Sequence, residues 1–516
     1  MYTQKPKIAL LTSLTDYAPS YSLVGIILDQ ARALERHGYD YDLLCLKNFN
    51  QEERDQQSKR ERLRIKYILP QTTLVDYRPE EPPHENFDDQ VRVHLEGDPD
   101  KGTIGYLEAL EQYDTVITHD LMFISWHLPQ NAAIRKCIEK WPEKNWLHWI
   151  HSSPSVVERR CYPSELRLSA APHSTYVFLN EAQKLDCALM LGTTKDRIAT
   201  VYNPKDMREV YDFSRETCAM IEGYDLFDHE IMQVYPFSSP RWEHKGVKAL
   251  LRIFGLWKEQ GIRVKLVLVN ANCNQEKDKK YQAGLEAYAL RQGLELDRDV
   301  ILTSRFADVA DLPRWRYCVP QRTVRELGLM SNMFIFASPA ECCSLIEAEA
   351  SVAGKFMVLN RECSAIMEFG HLGCLSYEFT SNNPDNPNAA AYYECMAREI
   401  LAEFRNDVSI QNATIARTRT YNRDWIFRNQ FEPLLWKKFA DRISVDKPKT
   451  LPKKNVELKI LKDPLKEKVR HELDSGKIDY ENPRPGDPCP IFEECSEERR
   501  DACYAQAGRC LVLGEE

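Results

Sequence analysis

Apolar positions along the chain alternate between two spacings. "KIALLTSL", residues 7–14, is a short unbroken apolar run, the pattern of a strand covered on both faces. After a loop rich in Pro, Ser and Tyr, "LVGIILDQARALERHG" sets Leu23, Ile26, Ile27, Ala31 and Leu34 at helical spacing. "YDYDLLCLK" then returns to strand. Strand, helix and strand in this order make a β-α-β unit, and such a unit implies a parallel sheet.

The alternation continues, with one interruption. Residues 51–66, "QEERDQQSKRERLRIK", are a mixed charge run predicted to be a solvated helix or loop, and residues 76–101, rich in Pro, Asp and Glu, read as an irregular insertion. "YDTVITHDLMF", "NWLHWIHSS", "STYVFLNEA" and "RIATVYNP" give four more strands and complete a first α/β domain over residues 1–205. A second begins with "EIMQVYPFSSPRWEHKGVKALLRIFGLWKEQG", where Val247, Leu250, Leu251, Phe254 and Trp257 share one helical face. "VKLVLVNAN", "DVILTSRF", "NMFIFASPAE" and "GKFMVLN" are its further strands, which carries this domain over residues 206–410. Two successive α/β domains leave a cleft between them, and such sheets bind ligands at the carboxyl ends of their strands.

Length agrees, since 516 residues exceed what one hydrophobic core organises. The net charge of −9 gives no general attraction to nucleic acid or to an anionic membrane. The sequence has no apolar run of membrane-spanning length, and its start reads as neither signal peptide nor anchor. Twelve of the sixteen cysteines are scattered through the body, which points to a reducing, cytoplasmic setting. The other four, Cys489, Cys495, Cys503 and Cys510, follow a Lys- and Pro-rich linker in a tail over residues 447–516. Their wide spacing leaves zinc, disulfides and free thiols all open.

Candidate chemistry concentrates in "FIFASPAECCSLIEAEASVAG", residues 334–354. The strand ends at Pro339, Glu341 falls in the loop, and a helix starts near Ser344. Ser344 and Glu347 have capping-box spacing, so Glu347 is expected to reach back to the cap backbone. Glu341 and Glu349 have no such role and are the candidates to line a pocket at the strand end. The helix start offers free N–H groups to a phosphate.

The segment resembles the Glu-x7-Glu signature of retaining, nucleotide-sugar-dependent glycosyltransferases of the GT-B architecture, the large family that includes sucrose synthases and bacterial mannosyltransferases. Glu341 and Glu349 match its two glutamates, and Cys342-Cys343-Ser344 stands where the family has Gly-Phe-Gly. Other segments fall in the family's order. "ATVYNPKDM" is similar to the end of the first domain, with Asn203 matching, and "SPRWEHKGVKALL" to the basic loop that holds the donor diphosphate, with Arg241 and Lys245 matching. "RECSAIMEFGHLGCL" places Glu368 in register, and "NWLHWIHSS" resembles the strand whose terminal histidine, here His151, faces the donor sugar.

The resemblance implies two Rossmann-like α/β domains facing a cleft, the donor on the second, and helices over residues 411–446 that cross back to the first. Glu341 and His151 would then be catalytic, and Arg241, Lys245, Glu349, Cys343 and Ser344 would bind donor without metal or other cofactor. His119-Asp120, ending another strand, competes with His151. The co-substrate implied is a nucleotide-diphosphate sugar. The acceptor stays open among a glycan, a small molecule and modified DNA. Weaker similarity to phage DNA α-glucosyltransferases lies in "HWIHSSPSVVERR", "TVYN" and "HKG", and the Arg/aromatic stretch with Arg314, Arg316, Arg322 and Arg325 would meet a phosphate backbone. A nucleotide-sugar epimerase or a binder on the same fold is the alternative of a different class.

Overall fold

Strand β1, Ile8–Leu11, is buried at every position, and its side chains divide between two cores. Ala9 and Leu11 enter one cluster with Ile134, Cys137 and Ile138 of the helix Leu128–Lys140, whereas Ile8 and Leu10 enter another with Leu23, Ile27, Ala31 and Leu34 of the helix Ser22–Arg36. A strand buried on both faces needs the unbroken apolar run seen in its sequence. The structure is a computed structural model that describes residues 5–13, 22–47, 64–70, 86–124, 127–152, 164–271, 276–305, 319–342, 344–370 and 374–436. All of them fall in one compact unit, Met1–Ser444. The tail, with its four cysteines, lies outside the described residues.

The first sheet has seven parallel strands: β1, β2 (Tyr41–Leu46), β3 (Ile65–Leu69), β6 (Thr115–His119), β7 (Asn145–Trp149), β8 (Ser174–Phe178) and β9 (Ile198–Thr200). They run in the order β3-β2-β1-β6-β7-β8-β9, so the order reverses between β1 and β6. Strand β3 overlaps the end of the charge run expected to be a helix or loop. Its Lys66 reaches the buried Asp42 of β2 (2.8 Å), and a lysine within the strand masks its pattern. The expected irregular insertion also contains order: a helix, Phe87–Glu96, buries Val91 and His94, and β4 (Gly97–Asp98) and β5 (Thr103–Ile104) form a small antiparallel pair.

Among the described residues the second domain has six strands in two parallel triplets. One is β10 (Ile231–Ser238), β11 (Val264–Ala271) and β12 (Val300–Leu302); the other is β13 (Met333–Phe336), β14 (Phe356–Asn360) and β15 (Leu375–Tyr377). β10 and β13 meet at their start, where Asn332 N donates to Met232 O (3.0 Å) and Asn332 Oδ1 accepts from Met232 N (2.8 Å). One residue on, a side chain replaces the ladder. Fully buried Gln233 donates from Nε2 to Ile335 O (2.8 Å) and accepts at Oε1 from Ile335 N (2.9 Å). An amide inserted between two backbones holds them farther apart than a ladder does. The order reverses here too, as in a doubly wound sheet.

Beyond the helices Ala390–Asn406 and Val408–Ile415 the chain returns to the first domain. Ile426, Phe427, Phe431 and Leu435 join the cluster around Ile8 and Leu10. Phe427 stacks on His37 with centroids 4.1 Å apart, and Glu432 accepts from Tyr39 Oη (2.7 Å). This segment is not one regular helix: π turns at Ala416–Thr420 and Phe427–Phe431 interrupt it. Where the outgoing and returning chains pass, buried Asp206 pairs with Arg208 (2.7 Å) and Arg423 (2.8 Å), and Arg208 reaches Asp424 (3.2 Å). Two Rossmann-like domains with a returning C-terminal segment constitute the GT-B fold class that the resemblance implies. Among the described residues no helix is long and apolar enough to cross a membrane.

Candidate functional site

Both order reversals carry polar clusters at the carboxyl ends of their strands. In the second domain the loop after β10 doubles back over the end of β13. Gly246 makes this possible: its φ is +69°, and a Cβ there would lie 2.4 Å from the carbonyl oxygen of Ala337. The preceding residue, Lys245, is thereby set against the loop after β13, and Tyr235 Oη holds its carbonyl (2.8 Å). Lys245 Nζ donates to Glu341 Oε1, and Ser338 Oγ donates to the same oxygen (2.7 Å). Buried Asn360, ending β14, donates to Ser338 O (3.1 Å) and Thr380 Oγ1 (2.9 Å), which fixes this rim.

The helix Leu345–Val352 begins beside this pair, with Ser344 as its N-cap accepting from Glu347 N (3.4 Å). Only half of the expected capping box exists. The Glu347 carboxylate does not reach back; it is 2 % exposed, and among the described residues neither oxygen has a hydrogen-bond partner. Burial pushes its carboxyl up to about 7, with the negative charge of Glu341 adding to the rise. Glu349 sits on the exposed side of the same helix, next to Leu345 and Val352, which are 73 % and 91 % exposed. The structure thus brings Glu341 together with Lys245 and Glu347, and leaves Glu349 facing outward. Helical phase is the reason: residues 346, 347 and 350 face inward.

Of the other candidates, Arg241 is exposed, and Trp242 is core, edge-on to Tyr288 with centroids 6.1 Å apart. Asn203 is half-buried and Glu368 exposed. Cys343, Arg314 and Arg316 lie outside the described residues. Arg322 is held by Glu326 (2.6 Å), which also accepts from Ser214 Oγ (2.6 Å), so its charge is engaged within the fold; Arg325 is exposed. Among the described residues no group of three or more His, Cys, Asp or Glu is placed to hold a metal ion.

In the first domain the two competing histidine candidates prove to be one cluster. His119 ends β6 and His151 follows β7; His119 Nδ1 and His151 Nε2 share a hydrogen bond of 2.9 Å. Asp120, in the left-handed region at φ +56°, donates its N–H to Trp149 O (2.9 Å) and accepts at Oδ1 from His151 N (2.8 Å). The two strand-end loops therefore fix each other. Burial pushes the His151 imidazole down to about 4 and His119 well below its usual value, so both are neutral at neutral pH. Burial moves Asp120 the opposite way, up to about 6. Among the described residues His119 Nε2 and His151 Nδ1 have no partner. In a neutral pair joined by one proton, the second proton sits on one of these outer nitrogens, whichever tautomer is adopted. The pair thus keeps one donor and one acceptor on its outer, buried nitrogens.

No family model matches the chain, and no curated protein sequence matches it. Among solved structures, a glycosyltransferase from Rickettsia africae is 12 % identical, with 83 % of this chain and 98 % of that chain covered and a TM-score of 0.31. HepE of Anabaena, solved with UDP and glucose, is 13 % identical over 84 % of this chain and 100 % of that chain, with a TM-score of 0.31. A UDP-forming α,α-trehalose-phosphate synthase from Burkholderia xenovorans is 14 % identical over 85 % and 98 %, with a TM-score of 0.26.

Proposed function

We propose that this chain is a retaining glycosyltransferase that moves a sugar from a nucleoside-diphosphate sugar to an acceptor hydroxyl. The observation that carries the reading is the meeting of Lys245, Glu341 and a helix N-terminus at the carboxyl ends of β10 and β13, where the two strand triplets of the second domain meet. That is where an open α/β sheet binds its ligand. As the bond from the sugar's anomeric carbon to the β-phosphate oxygen breaks, its electron pair leaves with the diphosphate. Lys245, Arg241 and the free N–H groups after Ser344 meet that charge where it develops. The new bond forms to the acceptor oxygen, whose proton is released. Glu341 stands beside the reacting sugar, Glu349 takes the ribose hydroxyls, and the His119–His151 pair takes a sugar hydroxyl. The acceptor hydroxyl belongs to a glycan, a small molecule or a modified DNA base.

Thermal shift against UDP, GDP, ADP and their sugars tests the reading, because a ligand of the folded state must raise the melting temperature. A rise with one nucleotide, lost in Lys245→Met, supports it. The absence of a rise with every nucleotide overturns it.

A further inference from the structure

We infer that Glu347 is a second carboxyl of the Lys245–Glu341 site: it carries a proton and becomes the hydrogen-bond partner of Glu341 when a bound anion draws Lys245 away. The inference rests on the assignment of Lys245 to the donor diphosphate, and it adds a residue outside the Glu-x7-Glu signature.

A buried carboxyl with two unpaired oxygens is unfavourable, because its polar atoms give up water and gain no partner. An apolar side chain on the same inward face, like Ile346 and Ala350, would avoid that cost. Nothing in the packing requires an acid there. The groups that face Glu347 come from three elements. Glu341 stands in the loop after β13, and its charge opposes ionisation of Glu347. Gly370 ends the helix Ser364–Gly370, and a Cβ there would come within 3.0 Å of Glu347 Oε1. Cys374 precedes β15, and burial raises its thiol above the usual value. Among the described residues none of them supplies a cation. Lys245 neutralises Glu341.

A diphosphate competes for that lysine with more charge than one carboxylate. Once Lys245 turns to it, Glu341 would stand as an unpaired, poorly solvated anion, which is strongly unfavourable. A protonated Glu347 answers this, because two carboxyls sharing one proton hold a single negative charge between them. Glu347 is therefore a positioning residue: it acts through Glu341 and does not touch the transferred sugar.

Two measurements decide the point. The first does not need turnover. Infrared difference spectra of the full chain near neutral pH should contain the carbonyl band of a protonated carboxylic acid, absent from Glu347→Gln. Inorganic pyrophosphate should shift that band to lower frequency, and Lys245→Met should shift it without any anion. A spectrum in which Glu347→Gln removes no acid band overturns the inference, whether or not any sugar is transferred. The second uses the donor found by thermal shift. Glu347→Leu should keep donor binding and lower kcat by about 10- to 100-fold, the cost of losing one hydrogen bond to a charged group. Glu347→Gln, whose amide always has a donor, should stay within about threefold of the native kcat and lose the fall in rate above neutral pH. If Glu347→Leu folds, binds donor and turns over normally, the inference fails while the transferase reading stands. If no nucleotide binds the native chain, the transferase reading fails and the infrared result alone judges Glu347.

Discussion

The two order reversals of this molecule handle charge in opposite ways. At the first, between β1 and β6, two histidines are kept neutral by burial and bond to each other. At the second, between β10 and β13, a cation and a carboxylate are paired beside a carboxyl whose value burial raises to about 7. The first cluster has donors and acceptors but little charge to give, and suits an uncharged, hydroxyl-rich group. The second has a detachable cation and suits an anion. Under the proposed function, neutral specificity on one domain would serve the sugar and charge on the other its diphosphate.

The sharpest way to break this comparison is Glu341→Gln. If the second cluster does the chemistry, kcat should fall on the order of 10²-fold or more, as when one preorganised electrostatic group is removed, while the nucleotide-induced rise in melting temperature persists. A loss of binding with little loss of kcat would make Glu341 a ligand-holding residue instead. His119→Gln and His151→Gln should each cost about tenfold in kcat/KM, the worth of one neutral hydrogen bond. Their effects should be strongly non-additive, because either change removes the same pair. Additive losses in the double variant would separate the two imidazoles.

Stability against pH sharpens the contrast further. His151 has a folded value near 4 against 6.5 unfolded, so between those values the unfolded chain binds more protons and stability rises with pH. Glu347 has a folded value near 7 against 4.5, so the folded chain binds more protons and stability falls as pH rises through that window. The melting temperature of Glu347→Gln relative to the native chain should therefore climb from about pH 4.5 and level off near 7, whereas that of His151→Gln should improve as pH drops below about 6.5. Asp120, raised to about 6, opposes the histidine trend within its own cluster, so single variants are the proper reading. The smallest effect belongs to Glu349→Gln. An exposed carboxylate that meets the ribose should weaken donor binding by about 3- to 10-fold and leave kcat unchanged.

Sequence pattern carried the fold far and the site only partly. Strands such as Ile8–Leu11 and Met333–Phe336 are buried on both faces, so their apolar runs are unbroken and conspicuous. Strand β3 was hidden because Lys66 points its charge at Asp42, and the helix Phe87–Glu96 because it buries only Val91 and His94. The partnership of His119 with His151 was out of reach, since hydrogen bonds between neighbouring strand ends leave no trace in spacing. Glu347 was misread for a definite reason. Leu345, Ile346, Ala348, Ala350 and Val352 make the helix look apolar all round, so its inward face had no visible phase, and the capping-box spacing offered an easier role. Gln233 did leave a signal: a lone amide in the apolar strand Ile231–Ser238 marked the place where a side chain stands in for a backbone ladder.

The returning segment has a consequence for how the chain is made. Ile426, Phe427, Phe431 and Leu435 cover the face of the first sheet formed by Ile8, Leu10 and Leu43, yet they leave the ribosome only after the whole second domain has emerged. During synthesis at about 5–20 residues per second, the first domain waits for its last layer with apolar surface uncovered. The second domain, by contrast, is complete in one continuous stretch. Folding should thus finish with the part that was begun first, and the interval between those two events is when this protein is most exposed to aggregation and most dependent on a chaperone.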